Sequence, residues 1–90
     1  MGNLGIAYWR MGEMRCAIEY YEQHLTIARE TSDRRGQGNA LWNMSLALDK
    51  LGERGQAIAR AKAALKIREQ SEDPRAEKVR KQLKEWGKAG

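Results

Sequence analysis

The chain has no phenylalanine and only one proline, one cysteine and one histidine among its 90 residues. Each scarcity excludes something. Cys16 cannot pair within the chain, so neither a disulfide framework nor a cysteine metal site is available; a buried or half-buried structural thiol is expected. His24 lacks His, Cys or acidic partners at ligand spacing and is expected to pack on the inner side of its helix. No apolar run approaches the ~20 residues a membrane helix needs, and no signal-peptide pattern opens the chain. A soluble, cytoplasmic protein with no membrane association is the expectation. Phosphate loops, nucleophile-base pairs and metal clusters are missing too, so neither an enzyme nor a cofactor is expected.

What the chain does contain is alanine, leucine and charge, the composition of an all-α protein. The net charge of +5 is unevenly spread. Residues 1–33 carry three Lys or Arg against five Asp or Glu, whereas residues 34–90 carry fourteen against seven. One end is mildly acidic and the other distinctly basic.

Sliding the chain along itself reveals a repeat with a period of 40. Asn3 falls on Asn43, Ala7 on Ala47, Gly12-Glu13 on Gly52-Glu53 and Ala17-Ile18 on Ala57-Ile58. Leu25, Ile27, Asp33 and Arg35 then fall on Leu65, Ile67, Asp73 and Arg75. Glycine, acid and aliphatic types matching in one register mark an internal duplication.

Within each copy the apolar residues recur at steps of three and four, the stripe of an amphipathic helix. The first helix runs from Gly2 to Met11 with Leu4, Ala7, Tyr8 and Met11 on one face, and Gly12 stops it. A second spans about Met14 to Glu30, with Ala17, Ile18, Tyr21, Leu25 and Ala28 inward. A connector of a residue or two forces the pair antiparallel. Asp33 is placed to cap the next helix, which buries Ala40, Leu41, Met44, Ala47, Leu48 and Leu51 and breaks at Gly52. Its partner, about Gly55 to Gln70, is expected to bury Ala57, Ile58, Ala61, Ala64 and Leu65, with small alanines predominating. Asp73 as cap and Pro74 at the first helical position open a last helix with Ala76, Val79, Leu83 and Trp86 on its apolar face. The expected layout is a first repeat over 1–33, a second over 34–73, a capping helix over 74–86 and a disordered tail over 87–90.

Asn3-Leu4-Gly5-Ile6-Ala7-Tyr8, Gly12-Glu13 and Ala17-Ile18-Glu19-Tyr20-Tyr21 together resemble a tetratricopeptide repeat. Asn43-Met44-Ser45-Leu46-Ala47-Leu48, Gly52-Glu53 and Ala57-Ile58 repeat the pattern less faithfully, with Ser45 in place of Gly and Ala61 in place of an aromatic. The 40-residue spacing is similar to the extended subclass found in kinesin light chains and spindle-orientation adaptors. The resemblance implies an α-solenoid of two antiparallel helical hairpins plus a C-terminal capping helix, acting as a protein-protein interaction scaffold. First helices of successive repeats would line a concave groove.

A second stripe off the core face supports that implication independently. Ile6 and Trp9 lie on it in the first copy, and Asn39, Trp42, Leu46 and Asp49 in the second. Beside them Asn3 and Asn43 could bond a peptide backbone, and Arg10, Lys50 and Lys78 could supply positive charge at the rim. The alternative is that Trp9 and Trp42 pack against neighbours and the asparagines make only local hydrogen bonds. A different class of function is head-to-tail stacking into homo-oligomers, driven by the acidic front and basic back. Nucleic-acid binding through Arg60, Lys62, Lys66, Arg68 and the last helix is the weakest option, since no aromatic platform interleaves these residues.

Overall fold

A computed structural model describes residues 13–89, and these form four helices: α1 (Met14–Glu30), α2 (Arg34–Lys50), α3 (Arg54–Gln70) and α4 (Ala76–Ala89). The helix expected over Gly2–Met11, and with it Asn3, Ile6, Trp9 and Arg10, lies outside the described residues. Each helix packs chiefly on its neighbour in the chain, α2 on α1, α3 on α2 and α4 on α3. The result is the all-α, stepwise architecture of a helical repeat followed by a terminal helix.

The stripes read from periodicity are buried or half-buried, with Leu51, Ile58, Leu65 and Leu83 among the half-buried. On α1, Leu25 and Ala28 are buried and Ala17, Ile18 and Tyr21 half-buried. The opposite edge of α1 corrects two expectations. Cys16 and His24 are both exposed, because they recur with Tyr20 and Ile27 at steps of four and three on the outward face. Helix α2 lies between α1 and α3 and buries Ala40, Leu41, Met44, Ala47 and Leu48. Ser45 is fully buried there, its Oγ donating to the Trp42 carbonyl at 2.7 Å. That bond satisfies a hydroxyl standing where the repeat pattern has glycine. On α3 the buried stripe is Ala57, Ala61 and Ala64, each 0% exposed. Small side chains let α2 and α4 approach its two sides closely. Helix α4 contributes Ala76, Val79 and Trp86 to the interior.

The joints repeat the 40-residue period in backbone geometry. After α1 the chain turns through Ser32 at φ 57°, and after α3 through Glu72 at φ 55°. Asp33 N–H donates back to the Ala28 carbonyl at 2.7 Å and Asp73 N–H to the Arg68 carbonyl at 2.8 Å. Gly52, at φ 84°, makes the same turn after α2, with Glu53 N–H on the Leu48 carbonyl at 2.9 Å. These are Schellman endings, which require one residue in the left-handed region. Only one of the three uses glycine. A side chain in that region costs about 1 kcal/mol, so Ser32→Gly is expected to raise stability by up to about that amount. Urea unfolding should show a higher midpoint with an unchanged slope; a lower midpoint would contradict the assigned turn.

Asp33 starts α2 as expected, its carboxylate accepting the Gly36 N–H at 2.9 Å. Asp73 behaves differently. Its Oδ1 accepts the Arg75 N–H at 2.9 Å, and the bonds that follow, Ala76 to Asp73 and Glu77 to Pro74, span three residues. The chain therefore leaves Asp73 in a tight turn and becomes α-helical at Ala76 rather than Pro74. At the other end α4 continues to Ala89, past Trp86, so residues 87–89 extend the last helix by most of a turn instead of forming a disordered tail.

Candidate functional site

Two features stand beside each other on α2: an open stripe along the helix and a cluster of arginines at its start. The stripe is what remains of α2 after α1 and α3 have taken their share. Asn43 and Lys50 are exposed, and Asn39, Trp42, Leu46 and Asp49 are half-buried. These positions follow steps of three and four, so they share one face. Their chemistry is mixed, with an indole, a branched aliphatic chain, two amides and charge.

Not all of these groups are equally available. Asn39 Oδ1 accepts from Arg68 Nη2 at 3.3 Å and from Arg75 Nη1 at 3.0 Å. Asp49 is paired with Arg54 at 2.6 Å. The Trp42 ring is covered on one face by the Arg68 guanidinium, 5.8 Å from the ring centroid, a stacking geometry that favours cation and ring alike. Asn43 is left as the exposed amide of the stripe, while Trp42 and Leu46 are half-buried and pack in part against the core. Lys50 closes α2 and Lys78 sits near the start of α4, so the two exposed lysines mark opposite ends of the site rather than one rim.

The arginine cluster was not legible as a site. Arg68 falls in sequence with Arg60, Lys62 and Lys66 as a basic surface, yet it is 4% exposed. The signal was present in the repeat: Arg68 aligns with Ala28, which lies on the inward stripe of α1 and is 2% exposed. A guanidinium has thus taken the place of a methyl group. Its Nε is buried with no hydrogen-bond partner among the described residues. Leaving a charged N–H unbonded typically costs about 1–3 kcal/mol or more. Burial depresses the Arg68 pKa, the nearby Arg75 adds to the depression, and Asp73 opposes it.

Asp73 organises the other side of the cluster. It is bound to Arg75 through both carboxylate oxygens, at 3.1 and 2.7 Å. The side-chain hydrogen bonds from Arg75, together with the Arg75 backbone N–H, hold the Asp73 carboxyl far below the usual carboxylate range, and the same bonds raise Arg75. A depressed acid stabilises the fold from the ordinary carboxylate range upward. That contribution begins to fade as the pH falls through the ordinary carboxylate range and is lost progressively below it, down to the depressed value. Arg34 donates to Gln70 Oε1 across the same joint. Together Arg34, Arg35, Arg68 and Arg75 line a cavity of about 420 Å³ between the start of α2, the end of α3 and the connector that follows α3, with Asp73 and Glu72 the acids beside them.

Elsewhere some of the arginines are paired, whereas Lys62, Lys66, Lys78, Lys81 and Lys84 have no carboxylate partner among the described residues. Arg60 lies 3.8 Å from Glu22, and Arg80 bridges Glu69 and Glu77 at 2.9 and 2.8 Å. Such exposed pairs contribute at most about 1 kcal/mol each and leave the lysines of α3 and α4 as a solvated basic surface. Among the described residues no three His, Cys, Asp or Glu are placed to hold a metal ion, and no helix is long and apolar enough to cross a membrane.

Stacked helices with a 40-residue period, the same left-handed turn after α1 and α3 and an open stripe on α2 define a helical-repeat protein. The family model for the tetratricopeptide repeat matches residues 1–70, and the chain belongs to that family. It is therefore a protein-protein interaction repeat module. No curated protein and no solved structure shows significant similarity to it.

Proposed function

We propose that the chain binds an extended segment of a protein partner along the open stripe of α2, with Asn43 bonding the partner's backbone and Trp42 and Leu46 seating its apolar side chains. The observation that carries this reading is the mixed character of that stripe. Outward positions of α3, such as Ala59, Lys62, Lys66 and Glu69, offer only charge and methyl groups. In the first copy Asn3, Ile6, Trp9 and Arg10 would extend the same line, since they occupy the matching register. The 40-residue period supports placing the chain with the extended-repeat subclass. Self-assembly has less support at the last hairpin, where α4 already occupies the side of α3 turned away from α2.

Peptides selected from a random display library should show the site. Asn43→Ala and Leu46→Ala are each expected to weaken the selected peptides at least tenfold, about 1.4 kcal/mol, with the helical circular-dichroism signal unchanged. Selection of no peptide, or of peptides that ignore both substitutions, would overturn the reading.

A further inference from the structure

The established repeat architecture explains neither why Arg68 is buried nor what its unbonded Nε is for. At the matching place in the first copy an alanine fills the space. The guanidinium is held by Trp42 on one side and by Asn39 through Nη2, which uses up one nitrogen and leaves the fork of Nε unsatisfied. Gly38 keeps that neighbourhood thin: a Cβ there would stand 3.7 Å from Nε. Gly38 and Arg68 both line the 420 Å³ cavity, and Ser71 adds a hydroxyl beside them.

Charge at this cavity is unbalanced. Arg75 is matched by Asp73. Arg34 donates to a neutral amide, and Arg35 is exposed with no carboxylate partner among the described residues. A planar carboxylate accepts from two guanidinium N–H groups at once, the arrangement that Arg68 lacks and its neighbours can complete.

We propose that this cavity is a carboxylate-binding pocket that anchors an acidic side chain of the segment lying along α2. The inference rests on the proposed groove for the identity of the ligand's carrier, and on the cavity itself for its chemistry. Asn39 and Trp42 join the two, since each touches Arg68 and also belongs to the stripe.

The test is a titration of the ¹⁵N-labelled chain with a capped tetraglutamate peptide, following the Arg68 Nε–H resonance, which is identified by its loss in Arg68→Ala. That variant should remain folded, because Ala28 fills the equivalent position. Sodium chloride at matched ionic strength and inorganic phosphate form two further titrations. A saturable shift with tetraglutamate, absent with chloride and weakened at least fivefold by Arg35→Ala, is the expected result. No shift, or an equal shift with chloride, would overturn the pocket. Saturation by phosphate alone would overturn the carboxylate assignment and point to a phosphorylated segment. Tetraglutamate that shifts Arg68 yet binds Asn43→Ala and Leu46→Ala unchanged would uphold the pocket while counting against the groove.

Discussion

Trp86→Ala is expected to lower stability by about 3–5 kcal/mol, the usual cost of removing a buried indole. Helix α4 is heavily charged and has few apolar side chains with which to hold α3. Val79 and Ala76 are buried near its start, and Trp86, 4% exposed, holds the far end. The Arg54 guanidinium lies 5.6 Å from the indole centroid, so the truncation also removes a cation–π contact. A chain of this length has a total stability of only about 5–13 kcal/mol by the usual per-residue range, so a large part of it depends on one ring. Thermal unfolding should shift down by roughly 15–30 °C. Amide exchange should accelerate in α4 before it does in α2. A shift below about 5 °C would mean that Trp86 is not what docks the last helix.

The second large effect concerns the opposite change. Ala61 corresponds in the repeat to Tyr21, which is half-buried on α1. Restoring the aromatic of the first copy, Ala61→Tyr, is nevertheless expected to destabilise by about 3 kcal/mol, the upper end of the usual range for overpacking. Ala61 is 0% exposed between two other fully buried alanines. The space taken by the ring in the first hairpin is closed here by the approach of neighbouring helices, and a phenol hydroxyl would need a partner in an apolar layer. Urea unfolding measures the loss directly. A variant as stable as the parent would show that the core around α3 has room for a ring.

These two residues also show how far the sequence carries. The bounds of α1, Met14 and Glu30, follow from the break at Gly12-Glu13 and the inward stripe from Ala17 to Ala28, because local periodicity and turn residues are local facts. The end of α2 is equally legible in Gly52, and its start in the cap at Asp33, although Thr31 to Gly38 reads as a polar, turn-rich stretch and the helix already begins at Arg34. The left-handed joints at Ser32 and Glu72 are not legible, since neither residue announces a positive φ. The delayed start of α4 was hidden for a similar reason: Asp73 reads as a helix cap until Arg75 claims its carboxylate.

Legibility of the candidate site divides along the same line. That Asn43 lies off the core face follows from helical spacing alone. That Asn39 is engaged by Arg68 and Arg75 depends on residues 29 and 36 positions away, and no stripe on a single helix reports such a contact. Arg68 itself reads as a surface residue because charge is ordinarily a mark of the surface, and only its alignment with Ala28 argues otherwise.

The stepwise packing of α1 to α4 has one more consequence. Because each helix meets chiefly the one before it, the chain has low contact order and can fray from its last helix inward, as a one-dimensional array does. The pocket formed by Arg34, Arg35, Arg68 and Arg75 spans the connector that joins α3 to α4. A ligand held there would act as a latch on the fraying end, so occupancy of the pocket and closure of the terminal helix are a single equilibrium viewed from two sides.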